Sequence, residues 1–560
     1  MHILFVSLNS QFVHLSPAPY SLAAGLQAYA KLPHTHRILS ATVNEDEEAL
    51  LADILANAPS LIAFSAYIWN ITRIKALLPK IKQALPDAIV VMGGPEASYN
   101  AEALLRENPA LDGVLSGEGE WPIAALADAL GSGLPLETLS FYSFRSQEGL
   151  HIAKEAYVGE GTPPLATEGG YLEAVRGKFA YFEASRGCPF SCAFCLSGRT
   201  GGVRYFDKEK VFPALLALAN AGPRAVKFVD RTFNAHLSSA KEIWRFLIEN
   251  YGKRYPASMR FHFEIAGELM DEEAFSILAC APLGLFQFEI GLQSFNANTL
   301  KAIKRPPISS RLLDNIRAFR ALSGAHLHVD LIAGLPYETK ESFADGFNQA
   351  YRLSAHMLQL GFLKLLHGAP MRENREEYPS AFEEAPPYQV IETPWLSKED
   401  MAIIHFAEKG TDRVYNSGRF AKTLAYLEKS PDFSPFDFFV SVGKALSPQK
   451  ARTVDEEYEI LYAAFSTLRG VEGERLRDMM LWDYLAWNSS RHLPPVLQRQ
   501  DARYKKAKAY LAALYPPEKG ERRSVALLSS ESTLLFCRYT EKDSVTGLYP
   551  VLALPLPKEW

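Results

Sequence analysis

Three cysteines crowd into the ten residues RGCPFSCAFC, as Cys188, Cys192 and Cys195 in the spacing C-x3-C-x2-C. Three thiolates on one tight loop can bind three corners of a cubic four-iron, four-sulfur cluster and leave the fourth iron open to an exogenous ligand. Gly187 allows the bend and Pro189 stiffens it. A structural zinc site or a plain cluster of buried thiols would use the same residue type. Closed zinc sites, however, need a fourth ligand and usually a second paired motif, and the neighbouring sequence offers neither. Cys280 and Cys537 read as core thiols, and five cysteines in 560 residues suit cofactor ligation in a reducing cytosol better than a disulfide framework.

The element that must position the cysteines is the run FAYFEAS at 179–185, which reads as a strand directly ahead of them. Five more runs follow, AVKFVD, MRFHFEI, LFQFEIG, HVDLIAG and LQLGFLKLL, separated by helical patterns at 207–220, 239–250, 271–280, 308–322 and 339–354. Six such units predict a partial (β/α)6 barrel over 178–394, with its chemistry at the carboxyl rim of the strands. Upstream, HILFVSL, RILSATV, LIAFSAY, AIVVMGG and GVLSGEG alternate with amphipathic stretches such as 17–31 and 71–85. They predict a Rossmann-like, five-stranded parallel domain over 1–130, whose ligands gather at residues 9–16, 65–70, 93–98 and 117–120. Residues 131–177 read as a linker. Residues 395–560 read as a mostly helical domain, with helices at 398–427, 455–470 and 473–490 and a hairpin or two strands in 524–555. The class is α/β throughout the first two domains.

With 59 basic against 64 acidic residues the net charge is −5, which gives no bulk case for wrapping a nucleic acid. The most basic stretch, RQDARYKKAKAY at 499–510, reads as a solvated helix face. The opening MHILFVSLNSQFVH has no basic leader, and no run approaches the roughly 18 apolar residues of a membrane span. A cytoplasmic protein without a membrane partner is expected.

The cysteine spacing, with aromatic Phe194 before the last cysteine, resembles the radical S-adenosylmethionine (SAM) superfamily. In that family the open iron chelates SAM, and the reduced cluster splits it into methionine and a 5′-deoxyadenosyl radical. Further matches come in the order expected from oxygen-independent coproporphyrinogen oxidase and its relatives. By that resemblance Asp230 in KFVDRTFN faces the ammonium of SAM. Glu264 in FHFEIAGEL, Gln293 and Ser294 in FEIGLQSFN, Arg305 in TLKAIKRP and Asp330 in HVDLIAGLPYET line its ribose, carboxylate and substrate side. His367 and Arg372 in GFLKLLHGAPMREN read as structural.

The first domain has neither G-x-G-x-x-G after its first strand nor a G-x-x-x-x-G-K-[ST] loop. Its glycines sit in GGPEAS at 93–98 and GEGEWP at 117–122. As geometry alone these are turn residues at strand ends. Ahead of a radical SAM barrel, the arrangement resembles the cobalamin-binding domain of class B radical SAM enzymes. The resemblance implies that Ser65, Gly93, Gly94, Pro95, Gly117 and Glu118 lie along the corrin. The D-x-H-x-x-G axial-histidine motif is absent, so His14 reads as structural. Residues 1–187 hold no cysteine, unlike the extra domain of tRNA methylthiotransferases.

The resemblance implies three cofactors, a [4Fe-4S] cluster, SAM and cobalamin, and an external reductant such as flavodoxin or ferredoxin. It also implies methyl transfer to an unactivated carbon. The alternatives are a cobalamin-assisted rearrangement or cyclisation, or a cobalamin- or redox-sensing protein. The aromatics Trp482, Tyr484 and Trp487 at helical spacing read as core, and the substrate is not encoded legibly.

Overall fold

The structure is a computed structural model that describes residues 1–322, 324–447, 452–490 and 492–557. It falls into two compact units. The first comprises Met1–Phe288, Lys301–Pro306 and Leu363–Ile391; the second comprises Glu289–Leu300, Pro307–Phe362 and the chain from Glu392 onward.

In the first unit, β1 (His2–Asn9), β2 (Thr35–Thr42), β3 (Leu61–Ser65), β4 (Ile89–Gly93) and β5 (Gly113–Leu115) form the expected parallel strands. The sheet continues further than the sequence pattern indicates. β6 (Tyr142–Ser146) and β7 (Gly149–His151) extend it antiparallel, giving the order β2-β1-β3-β4-β5-β6-β7. These two strands occupy residues read as linker, because YSFRSQEGLH has only Tyr142 and Phe144 as a short apolar start before the polar edge strand β7. Alternation along β1 divides the core. Ile3 and Phe5 pack with the helices Ala18–Tyr29 and Glu120–Ser132, while Leu4, Val6 and Leu8 face Glu47–Ala56 and Ile71–Ala84.

The same unit carries β8 (Phe179–Phe182), the antiparallel pair β9 (Ser185–Cys188) and β10 (Gly202–Tyr205), then β11 (Ala225–Phe228) and β12 (Phe261–Glu264). β11 runs parallel to both β8 and β12. Phe228, Phe233, Phe263 and Trp244 interlock beneath them, with Phe228 and Phe263 stacked at 4.7 Å. The chain then continues through β13 (Phe286–Gln293), β14 (Ala325–Ala333) and β15 (Met357–Phe362), alternating with helices as a (β/α)6 pattern requires.

In the second unit β14 and β15 pair parallel. The free side of β15 is met by a side chain: Asn416 accepts from the Leu358 N–H (2.8 Å) and donates to the Leu358 carbonyl (2.9 Å). The helices Lys340–Arg352, Lys398–Gly410 and Pro435–Ala445 pack together. The last is absent from the sequence reading because its polar stripe in PFDFFVSVGKA is only Asp437, Ser441 and Lys444, narrow beside the phenylalanines and valines. Beyond them lie Val454–Phe465, Gly473–Trp487, Tyr504–Leu514 and a three-stranded antiparallel sheet, Arg523–Leu527, Thr533–Arg538 and Val551–Pro555, one strand more than the expected hairpin.

One guanidinium ties the first sheet to the cysteine strand. Arg186 on β9 reaches Glu118 (2.7 Å), Glu120 (2.9 Å) and Glu183 (2.6 Å). Arg204 on β10 adds a second contact to Glu118 at 2.6 Å. Burial opposes the charge on Arg186, but Glu183 and Glu120 outweigh it and hold its pKa well above the ordinary value. Burial likewise raises Glu118, but Arg204 and Arg186 hold it below its ordinary range.

Two outcomes follow from these contacts. A Cβ on Gly25 would stand 2.2 Å from the Glu120 carbonyl oxygen, backbone against backbone, so Gly25→Ala should cost about 1–3 kcal/mol in urea unfolding. Arg186→Met leaves buried Glu120 without its cation and half-buried Glu118 and Glu183 with one fewer, and should cost about 3 kcal/mol at neutral pH. Because the folded pKa of Glu118 is depressed, its contribution is present above the unfolded value and lost as pH falls through the folded one. The gap between wild type and Arg186→Met should therefore narrow as unfolding is repeated below pH about 4.

Candidate active site

The cysteine loop opens on Gly187, whose φ of 104° lies in the region that glycine alone adopts freely, and Cys188 pairs with Gly202 across β9 and β10. The loop then folds on itself. The Cys195 N–H donates to the Cys192 carbonyl (3.1 Å), and a Cβ on Gly198 would sit 2.1 Å from the Phe190 oxygen. Two backbone bonds brace it: Ala193 donates to Ile303 (3.1 Å) and accepts from Met371 (3.0 Å).

All three thiols are free. Cys192 is buried, and Cys188, Phe194 and Cys195 are half-buried. Donors surround the sulfurs: Arg305 Nη1 lies 3.6 Å from Cys192 Sγ, the Ser197 N–H 3.4 Å from Cys195 Sγ, and Thr232 Oγ1 3.5 Å from Cys188 Sγ. Burial raises the Cys192 pKa, and Arg305 opposes it. Such a set, three sulfurs with cationic and N–H donors directed at them, fits the thiolate ligation of an iron-sulfur cluster. A zinc ion would draw four donors to about 2.3 Å from one point. Among the described residues, no group of three or more His, Cys, Asp or Glu donors within 4.8 Å of one another includes these cysteines.

The expected SAM residues divide by environment. In the first unit Asp230 is 2% exposed and accepts from Ser185 Oγ (2.5 Å) and the Ala184 N–H (3.1 Å). Burial pushes its pKa up to about 7 against those hydrogen bonds. It thus clasps the turn between β8 and β9. Glu264 is half-buried, on the opposite face of β12 from Phe261 and Phe263. In the second unit Gln293 has a φ of 66°, and buried Ser294 donates to Glu338 and accepts from the Asn296 N–H (2.9 Å). Asp330 lies 2.9 Å from His328 Nε2, and Glu289 lies 3.4 Å from His328 Nδ1. Burial works to lower the pKa of His328, but the two carboxylates prevail and hold it near 9.

A cavity of about 650 Å³ opens at the carboxyl ends of β1, β3, β4 and β5 and reaches Arg186 and Gly187 of the cysteine strand. Ser65, Gly93, Gly94 and Gly117 line it; Pro95 and Glu118 do not. The glycines differ in what requires them. A Cβ on Gly94 would meet the Ala66 oxygen at 2.6 Å and one on Gly117 the Tyr157 oxygen at 2.2 Å, both at positive φ, so the fold itself demands these two. Gly93 is under no such constraint, since its Cβ would find only ordinary contacts at 3.6 Å and beyond.

Other lining residues lie in the expected segments 9–16 and 65–70, with no motif to mark them individually. Tyr67 and Trp69 stack at 4.4 Å in the loop after β3. Asn70 holds that loop, accepting from the Tyr67 N–H (2.7 Å) and donating to the Leu8 and Ser65 carbonyls (3.0 Å each). Asn9 does the same for the first loop through Ser16 (2.9 Å) and Ala41 (3.1 Å). An asparagine at or just beyond a strand end is the signal that could have found them. His14 lines the cavity with Nδ1 2.5 Å from the Tyr181 hydroxyl, and burial, with Lys227 adding to it, lowers its pKa. The loop residue His367 is half-buried with its pKa lowered to about 4, chiefly by burial, and the Arg372 guanidinium lies 4.5 Å from the Tyr388 ring.

Residues 20–127 match the B12 binding domain, 182–350 the radical SAM superfamily, and 376–520 a protein of unknown function, DUF4080. Among curated relatives, the cobalamin-dependent radical SAM methyltransferase TokK of Streptomyces tokunonensis is 28% identical over 66% of this chain and 57% of its own length. The 2-(S-pantetheinyl)-carbapenam-3-carboxylate methyltransferase of Streptantibioticus cattleyicolor is 25% identical over 53% of this chain and 46% of its own. The chain thus spans about half the length of these relatives. Among solved structures, the cobalamin-dependent SAM radical enzyme OxsB superposes with a TM-score of 0.59 at 15% identity, covering 86% of this chain and 78% of OxsB. The radical SAM methyltransferase TsrM of Kitasatospora setae gives 0.58 at 19% identity, over 69% and 82%. Among the described residues no helix is long and apolar enough to cross a membrane. Sulfur loop, parallel strands and family matches agree: a radical SAM domain over residues 182–350 follows a B12 binding domain over 20–127.

Proposed function

We propose that the protein is a cobalamin-dependent radical SAM methyltransferase that acts on an unactivated carbon. The observation that carries this reading is the presence, in one compact unit, of the free cysteine triplet and of a cavity at the parallel strand ends that reaches the strand leading to Cys188. The methyltransferase relatives TokK and the carbapenam enzyme support the reaction type. When bound, the cluster would supply the electron that splits SAM to a 5′-deoxyadenosyl radical, and the corrin would supply the methyl group.

The chain's own residues then have separable tasks. Cys188, Cys192 and Cys195 would hold the iron, and Arg305 would offset thiolate charge at Cys192. Phe194 lies half-buried between the last two ligands. Ser65, Gly93, Gly94 and Gly117 would lie along the corrin, while Glu118 holds its loop through Arg186 and Arg204 and Pro95 opens the short helix after β4. Within the first unit Glu264 would meet SAM. Asp230 and Ser294, whose oxygens are already hydrogen-bonded within the fold, act by positioning. Phe64, Tyr67, Trp69 and Leu115 make the cavity wall largely apolar, which would keep water from a reactive carbon centre. An external reductant of the flavodoxin or ferredoxin kind would deliver the electron.

Anaerobic reconstitution with iron, sulfide and hydroxocobalamin, followed by mass spectrometry of SAM products, tests the reading. Deoxyadenosine and S-adenosylhomocysteine should form together; deoxyadenosine alone would replace methyl transfer by rearrangement. Cys188→Ala, Cys192→Ala or Cys195→Ala should each abolish SAM cleavage and leave corrin uptake within about twofold. Gly93→Val should do the reverse, weakening hydroxocobalamin retention on gel filtration by about tenfold or more while the far-ultraviolet dichroism and iron content stay unchanged.

A further inference from the structure

The second unit holds a cavity of about 1400 Å³ that the reading above does not use. That exceeds the roughly 300–1,000 Å³ of ordinary small-molecule pockets. Its floor is apolar. Leu481 and Leu485 come from the helix Gly473–Trp487, Leu511 from Tyr504–Leu514, and Phe536 from the central strand of the C-terminal sheet.

The charges around it are unbalanced. Two carboxylates line the cavity, Asp501 and Glu521, and each is neutralised by an arginine outside the lining. Arg503 stands 2.7 Å from Asp501, and Arg538 bonds Glu521. Arg503 pulls the Asp501 pKa down to about 2, so this carboxylate offers no free charge to a ligand. Four cations line the same cavity. Arg523 donates to the Tyr515 carbonyl at 2.8 Å, and Arg499 lies a loose 3.8 Å from Glu474. Lys508 and Arg522 are exposed and have no carboxylate partner among the described residues. The basic stretch at 499–510 is therefore more than a solvated face. Its helix buries Ala507 and Leu511 and places Lys508 at the cavity.

An apolar floor under surplus positive charge selects a ligand with an apolar body and a negative end. We propose that this cavity binds an amphipathic anion, a straight alkyl or acyl chain ending in a carboxylate or phosphate, with the chain on the leucine floor and the headgroup at Lys508 and Arg522. Nothing in this assignment depends on iron, corrin or SAM, so it stands or falls separately from the methyltransferase reading.

Titration calorimetry on the full chain tests it with three probes of equal chain length: decanoate, decyl phosphate and 1-decanol. One of the two anions should bind at least tenfold tighter than decanol, and the tighter one identifies the headgroup. Lengthening that anion by two methylenes should tighten it by about fifteenfold, at about fourfold per buried methylene. Lys508→Ala with Arg522→Ala should weaken the anion tenfold or more and leave decanol unchanged. Leu493→Trp, which adds bulk at a half-buried lining position, should weaken all three. Thermal unfolding of each variant within about 3 °C of wild type shows that the fold is kept. Equal affinities for anion and alcohol, an undiminished anion affinity in the double variant, or no binding at millimolar probe would each overturn the proposal.

Discussion

A half-buried guanidinium shared by three carboxylates is the interaction on which the geometry of the first unit depends. Arg186 precedes the first cysteine by two residues, and its partners Glu118 and Glu120 belong to the loop and helix that follow β5. Removing four charges from water is costly, and only mutual proximity offsets that cost, so the arrangement tolerates little displacement of any member. The cavity floor and the sulfur loop are consequently fixed to one another through a few atoms. Arg204 on the neighbouring strand repeats the contact to Glu118, which sets the direction as well as the distance of β9.

The cysteine loop shows a second economy. Its backbone is braced from Ile303 and Met371, which fix the path of the chain between Cys192 and Cys195. Asp230 holds the preceding turn by taking hydrogen bonds from Ser185 and Ala184. A carboxylate that the family resemblance placed against a ligand is thus occupied in shaping the strand that carries the ligands. Ser294 stands in a similar relation to Glu338 in the other unit.

Much of this was legible in the residues. The parallel strands announced themselves because strands buried on both faces are continuous apolar runs, as in HILFVSL and AIVVMGG. The cysteines did so because their spacing admits few chemistries. What stayed hidden shares a physical cause. The edge strand β7 is short and need not be apolar on one side, β6 beside it is short too, and the helix Pro435–Ala445 carries only a narrow polar stripe. The loop 65–70 was expected at its strand end, but the stacking of Tyr67 on Trp69 was not, because Asn70 sets it through hydrogen bonds with no periodic signature. The glycines were found for an incomplete reason: Gly94 and Gly117 answer to neighbouring carbonyls in the same domain, and of the three only Gly93 is free to vary in size.

The Asn416 amide on β15 has a consequence for the behaviour of the whole chain in concentrated solution. An outer parallel strand displays unpaired N–H and C=O groups that can template the strand of another molecule. By engaging both groups of Leu358, this one side chain occupies the position where such a templating ladder would start. It discourages polymerisation by plugging a backbone, without placing a charge or a proline in a strand whose alternate residues must remain apolar.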